Sequence, residues 1–466
     1  MDVGTVATTS GTSADGLRPL SPSRESDVTF APTVPPMEPA GHRVPVFTAS
    51  VFDKTPSAAA SLKQYLRIMV AGVLAISFII FGVFSIYWGS VWSTPRYAVD
   101  GWIVDFDGGQ IGAAVSSAIS SIPSGRGIAW KILPAAQFPG GVADLEAAVK
   151  QEKMFYGLAI NAGATANYTS ALASASASYD GSNAIWFIGA EARNQNVYPI
   201  HLQIMTGELS SLTQRMARQM ANNLTRNGNI NTILTSAPQL VTDPVGYTVD
   251  NVIPFDIPVA TAVTFVGLIY LLILSFFVVV MSAGARTAAG YEQTLKLRSI
   301  VLLRFASSFV SYFFISLFYT LLSRAFQVSY SRHFGQAGFV IFWFLNWMSM
   351  CATGLALEAM ITLLTIQFIP FFLLLWIISN VSTCVFPIEI LPHVYRYGYA
   401  WPFYNVEKAV RAIIFGTKND IGLNFGVLLA WIAVSLITMP LFQFLARRRA
   451  FKAAAIATAD GPSEKS

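Results

Sequence analysis

Charge is scarce in this 466-residue chain: Asp, Glu, Lys and Arg make up 12% of it, against 54% hydrophobic and 13% aromatic residues. A soluble chain of that composition would carry too little polar surface to stay dispersed, so the excess apolar area is expected to face lipid. Cysteine is scarcer still. Cys351 and Cys384 both lie inside apolar runs, which denies the polar stretches a disulfide scaffold and the ligand spacing of a cysteine metal site. Four histidines, His42, His201, His333 and His393, are scattered along the chain. No stretch matches G-x-x-x-x-G-K-[ST], which excludes a self-contained ATP-driven pump of the P-loop kind, and none matches G-x-S-x-G or H-E-x-x-H. We therefore expect no enzyme, no cofactor, no metal and no nucleic-acid partner; ATP, if needed, would come from another protein.

Long apolar runs are what the chain has instead. Ile68 to Trp88 carries no charged residue, and further runs cover Val259 to Ser282, Ser299 to Leu322, Gly338 to Ala359, Ile366 to Cys384 and Leu423 to Leu445. Each is close to the roughly 20 residues that cross a hydrocarbon core of about 30 Å as a helix. The first lies too far from the N-terminus, and is too long, for an ordinary cleaved signal peptide. The expected fold is an α-helical integral membrane protein of about six transmembrane helices. The spacing then places a disordered cytoplasmic tail at 1–60, the first transmembrane helix at 61–92, an extracytoplasmic α/β domain at 93–257, a five-helix block at 258–446 and a basic cytoplasmic tail at 447–466.

Positive charge orients this arrangement, because short cytoplasmic segments retain Lys and Arg. Lys54, Lys63 and Arg67 precede the first run, Arg286, Lys296, Arg298 and Arg304 lie around the second-to-third connection, and Arg447, Arg448, Arg449 and Lys452 follow the last. Six crossings put all three clusters on one side, with both termini in the cytoplasm. Arg324 and Arg332 dissent mildly. Sequons at Asn167 and Asn223 fall in the segment assigned outside, as candidate N-glycosylation sites; a third, at Asn380, lies within an apolar run.

Between the first two runs, strand-like stretches at 102–106, 128–133 and 155–160 alternate with helical patterns at 111–119 and 143–152, which favours a small α/β domain with parallel pairing. Met205, Leu209, Leu212, Met216, Met220 and Leu224 recur every three or four residues and mark a long amphipathic helix. Asp105 and Asp107 invite two readings: a shared ion on one strand face, or carboxylates bonding their own backbone in the Asp-Gly-Gly turn.

Among the polar residues inside apolar runs, three are candidate sites. Glu358 is either a functional carboxylate or a side chain snorkelling to nearby headgroups. Asn346 and Asn380 either line a path or bond helix to helix. Residues 386–422 are too polar and proline-broken to span yet dense in aromatics, so they are expected to rest at the outer interface, with Val406 to Phe415 amphipathic and Glu407, Lys408 and Arg411 facing water or headgroups.

Several short stretches occur in a characteristic order: Tyr87-Trp88-Gly89-Ser90, Val104-Asp105-Phe106-Asp107-Gly108, Gly267-Leu268-Ile269-Tyr270, Pro387-Ile388-Glu389, Tyr397 to Pro402, and Ile414-Phe415-Gly416-Thr417. Together they resemble the fungal nitrosoguanidine-resistance membrane protein family, which is related in architecture to the permease part of type-2 ABC exporters and to phage-infection proteins. That resemblance implies a plasma-membrane protein linked to tolerance of toxic small molecules and to lipid distribution between leaflets. It supplies no catalytic residue. The partners it suggests are membrane lipids, small amphipathic compounds, and a homodimer or partner membrane protein. Two functions follow as expectations: transport-related resistance to toxic compounds, or organisation of lipid asymmetry or of partner proteins without transport.

Overall fold

The computed structural model describes residues 50–51, 53–125, 127–226 and 230–459. Most of the expected N-terminal tail lies outside them. The chain divides at Val70 into two compact units. The first holds the opening turns of helix α1 (Pro56–Val91), a candidate membrane span whose most apolar stretch has no buried residue. Everything below concerns the second unit.

Its polar part is built on five strands, β1 (Val99–Asp105), β2 (Ile128–Leu133), β3 (Tyr156–Ile160), β4 (Ile185–Gly189) and β5 (Tyr247–Asn251), in the order β2-β1-β3-β4-β5. Helices α2 (Gln110–Ser120), α3 (Val142–Lys150), α4 (Ala164–Ser174) and α5 (Tyr198–Arg226) alternate with them. β3 and most of β4 are buried, as their apolar runs Tyr-Gly-Leu-Ala-Ile and Ile-Trp-Phe-Ile-Gly require of central strands. The three strands read from the sequence pair in parallel, and the strand that was not singled out adds one antiparallel pair. β3 and β4 run antiparallel, with Ile160 opposite Ile185. After α4 the segment 175–184 brings the chain back to the end of the sheet it had just left, so β4 enters beside the exit of β3. On one face, Met205, Leu209, Leu212 and Met216 of α5 join Ile111, Val115, Leu158 and Phe187 in a single core.

Five helices among the described residues are long and apolar enough to cross a membrane: α1, α6 (Ala262–Ala288), α7 (Leu297–Ala325), α8 (Ala337–Val381) and α10, whose span is Ile421–Lys452. The six expected runs fall on five helices because 338–359 and 366–384 share α8. A continuous helix of 45 residues would measure about 68 Å, twice a hydrocarbon core. It is not continuous: Thr365 takes φ 65° and ψ 167° in its middle.

Contacts show that the chain reverses there. His333, just before α8, lies 3.4 Å from Asn419, just before α10. Val385, just after α8, accepts a hydrogen bond from Asn196 at the sheet. Both ends of α8 therefore sit at the sheet-bearing end of the bundle. Its middle does not: Glu358 and Thr362 bond Arg304, near the start of α7, which in turn bonds Gln443 far along α10. α10 continues helically to Ala459, into the expected basic tail. The Arg-, Lys- and Ala-rich stretch consists of strong helix formers.

The bundle is inside-out by the standard of a soluble protein. On α7 the buried positions are Ile300 and then Arg304, Ser308, Tyr312, Ser316, Thr320 and Ser323, about one turn apart, while Leu302, Val310, Phe314 and Phe318 are about half exposed or more. Hydroxyls satisfied on their own helix, such as Thr320 on the Ser316 carbonyl at 2.8 Å, let backbones approach closely while the apolar face meets lipid.

Within residues 386–422 the expected exposure of two charged residues is corrected. Helix α9 (Pro402–Phe415) is buried along nearly its whole length. Glu407 and Arg411, expected to face water or headgroups, are 4% and 2% exposed. They pair with each other, and Arg411 Nη1 donates to the Ala192 carbonyl at 2.8 Å. Phe415 packs on Phe255, ring centroids 4.7 Å apart. The helix is thus wedged between the sheet region and the bundle, so its polar groups find protein partners where solvent was expected.

One close helix approach yields a stability prediction. A Cβ at Gly354 of α8 would lie 2.4 Å from the Tyr312 hydroxyl of α7, whereas one at Gly284 of α6 meets nothing within 4 Å. Gly354→Ala should cost about 1–3 kcal/mol by overpacking. Gly284→Ala should leave the thermal unfolding midpoint of the purified protein unchanged or raise it slightly.

Candidate functional site

Four elements bring charge together at the end of the bundle away from the sheet. Glu358 is fully buried; its Oε1 accepts from Arg304 Nε at 2.7 Å and forms an ion pair with Arg286, whose Nη1 lies 3.0 Å away. Arg304 also donates to Thr362 Oγ1 at 2.8 Å, to Gln443 and to the Glu358 carbonyl. Arg286 reaches Glu292 Oε1 at 3.0 Å and Ser282 Oγ at 2.9 Å. Two guanidinium groups and two carboxylates make a network without net charge; Arg304, Arg286 and Glu358 are buried, Glu292 stays at the rim, and their mutual pairing offsets the cost of the burial. One atom is left over. Glu358 Oε2 has no hydrogen-bond partner among the described residues.

The snorkelling alternative for Glu358 is corrected by this burial. The side chain points into the bundle and is answered there, so it does not reach for headgroups. Arg286 and Arg304 had counted only as flanking topology charges; Arg304 lay inside the run 299–322, and that position was the one available signal of a buried partner. Asn346 and Asn380 do not join Glu358. Asn346 donates to the Phe342 carbonyl of its own helix at 2.9 Å, and its Oδ1 has no partner among the described residues. Asn380 donates to Trp376 O at 2.9 Å and accepts from the Phe403 N–H at 3.1 Å, fastening the end of α8 to the start of α9.

At the β1 exit the turn reading is what the geometry displays. Asp105 Oδ1 accepts from the N–H groups of Asp107 and Gly108 at 2.9 and 3.0 Å. Asp107 does more: it accepts from Gly109 and Gly112 at the start of α2, and from both the backbone and hydroxyl of Thr165 at the start of α4, at 2.9 and 2.5 Å. Burial works against its ionisation, but the Thr165, Gly112 and Gly109 bonds outweigh this and hold the carboxyl below its ordinary range. Among the described residues no group of three or more His, Cys, Asp or Glu could hold a metal ion. His201 is a core histidine against the Tyr156 hydroxyl at 3.1 Å, and burial pushes its pKa down to about 4. Asn167, in α4, and Asn223, in α5, are exposed.

A second polar cluster joins the sheet region to α9. Glu152 takes Lys408 at 3.0 Å and Arg193 at 3.5 Å, and Arg193 lies over the Phe155 ring, 3.4 Å from its centroid. Burial opposes the ionisation of Glu152, yet Lys408 and Arg193 hold its pKa low. Sequence reasoning assigned Lys408 to water and gave Glu152 and Arg193 no role, because nothing local brings residues some 250 positions apart together.

Spanning helices with lipid-facing apolar surfaces and a dry ionic core define a multi-pass membrane protein. The chain belongs to the family described as "Protein of unknown function (DUF3533)", whose model matches residues 72–437. It is also similar to an uncharacterized endoplasmic reticulum membrane protein of Saccharomyces cerevisiae, 33% identical over 208 residues, which is 44% of this chain and 40% of the yeast protein. The chain therefore spans well under half the length of that relative. No solved structure matches.

Two predictions follow from the ionic groups. Removing the carboxylate in Glu358→Gln leaves two buried guanidinium groups underpaired, which costs about 3–5 kcal/mol. Combining it with Arg304→Met should cost less than the sum of the singles, read as unfolding midpoints in a double-mutant cycle. Because the Asp107 pKa is depressed on folding, its contribution is present above the ordinary carboxylate pKa and fades as pH falls through the folded value. Asp107→Ala should therefore cost about 1–2 kcal/mol near pH 7, with the gap from wild type narrowing in acid.

Proposed function

We propose that this protein is a transport-related membrane protein that moves small amphipathic compounds out of or across the bilayer, conferring resistance to them, without an ATPase of its own and without enzymatic chemistry. The observation that carries this reading is the Glu358 cluster. Ionisable groups kept dry among spanning helices are costly and as a rule mark pathways or coupling sites. Glu358 has one oxygen free of protein partners, so a proton could be taken up there and would weaken the hold on Arg286 and Arg304. The resemblance to the nitrosoguanidine-resistance family and to type-2 exporter permeases supports the same reading.

In this reading the sheet-bearing end lies outside the cytoplasm. In favour are the exposed sequons at Asn167 and Asn223, and the gathering of Arg286, Arg304 and Arg447 near Glu292 at the other end. The resemblance points to the plasma membrane, whereas the yeast relative's name points to the endoplasmic reticulum; the lumen and the cell exterior are topologically equivalent, so both agree with the orientation. A second reading is a non-transporting organiser of lipid asymmetry or of partner proteins, alone or as a homodimer. It is favoured by the knitting of the sheet region to the bundle through Arg411 and Lys408, which suits a rigid platform.

Reconstitution into liposomes separates the two. Under an imposed proton gradient the wild-type protein should move a fluorescent amphipathic dye, and folded Glu358→Gln should lose the gradient dependence. Absence of movement by the wild type, with other membrane proteins co-purifying, would favour the organiser. Orientation has its own check: an Asn167→Gln, Asn223→Gln double variant should migrate faster on gels than the wild type, and glycosidase treatment should remove the difference.

A further inference from the structure

At the sheet-bearing end, the segment 386–400, α9 and the first turns of α10 wall a cavity of about 580 Å³, within the roughly 300–1,000 Å³ typical of small-ligand sites. Three kinds of chemistry line it. Tyr399 and Tyr404 stand nearly at right angles, 87° between planes and 5.3 Å between centroids, and the carboxylate of Glu389 shares the cavity with them. Perpendicular electron-rich rings beside an anion suit an organic cation, above all a quaternary ammonium that cannot donate hydrogen bonds. Lys408 and Arg193 line the same space. Lys408 commits one donor to Glu152 and retains others for an oxyanion.

The third kind is an unmet need. Asn424, 2% exposed, faces the cavity, and its Nδ2 has no acceptor among the described residues. A buried donor left unpaired is destabilising, and a ligand oxygen would satisfy it. The remaining walls say where the rest of the ligand goes. Leu423 and Val427 belong to spanning helix α10, and Leu423 is 67% exposed on it, so the cavity opens onto a surface that lipid tails cover. Its charges balance, with Arg193, Lys408 and Lys418 against Glu152, Glu389 and Asp420, which selects a zwitterion over a net anion.

We propose that this cavity binds the headgroup of a phosphocholine-type zwitterionic phospholipid. The ammonium sits against Tyr399, Tyr404 and Glu389, the phosphate takes hydrogen bonds from Lys408, Arg193 and Asn424, and the acyl chains lie along α10 past Leu423 and Val427. The site is separate from the Glu358 cluster and does not depend on transport.

The test is binding of radiolabelled short-chain phosphatidylcholine to the purified full-length protein in a non-ionic detergent. Saturable binding is expected, displaced by unlabelled phosphatidylcholine and not by phosphatidylglycerol. Tyr404→Leu and Asn424→Leu should each weaken it about tenfold, while Tyr404→Phe, which keeps the ring, should bind as the wild type does. Unfolding midpoints identify any variant that has lost its fold, and the Phe-against-Leu comparison stands apart from that loss. Equal retention of both lipids by wild type and variants would mean annular lipid only and overturns the proposal. Free phosphocholine binding as tightly as the lipid overturns it too, since the acyl chains would then contribute nothing.

Discussion

A single carboxylate with two guanidinium groups on one oxygen holds the bundle in register. Glu358 ties α8 to α7 through Arg304 and to α6 through Arg286, and Arg304 extends the tie to α10 through Gln443. In lipid there is no hydrophobic force between helices, because tails are as apolar as leucine, so packing and polar contacts must decide which helices meet. An ionic network is the most selective such contact. Leaving any member unpaired in a dry environment is expensive, so alternative helix arrangements that separate these groups are strongly disfavoured.

The same constraint explains the shape of α8. Its first half must carry Glu358 to Arg304, far from the sheet, and its second half must return Asn380 to the Phe403 N–H beside it. A straight helix cannot do both. The positive φ at Thr365 is where the chain turns back, and the two halves then flank a common partner: α10 meets the first near Gln443 and the second near Trp431, whose ring lies 5.1 Å from that of Trp376.

Much of this was legible in advance. Apolar runs marked the spanning segments because lipid imposes a length and a composition that no other environment demands. The three early strand stretches and the α5 stripe were visible by period alone. β4 and β5 were not singled out, although Ile185-Trp186-Phe187-Ile188 is as apolar as β3 and follows a Ser- and Ala-rich loop. The antiparallel entry of β4 depends on where a loop returns, which local pattern does not encode. The clearest failure was α9: a polar stripe of Glu407, Lys408 and Arg411 on an apolar helix reads as a solvated face, yet two of the three are buried.

The sequence by itself determined that this chain lives in a membrane, roughly where it crosses, and that Glu358 is the one acidic residue within an apolar run. These follow from one-dimensional quantities, namely length, hydropathy and charge spacing. Only the tertiary structure decided which charges meet. Arg286 and Arg304 became buried partners of Glu358, and Glu152 became the anion for Lys408 and Arg193. Pairing energies act across space at a few ångströms, while the residues concerned are separated along the chain by tens to hundreds of positions.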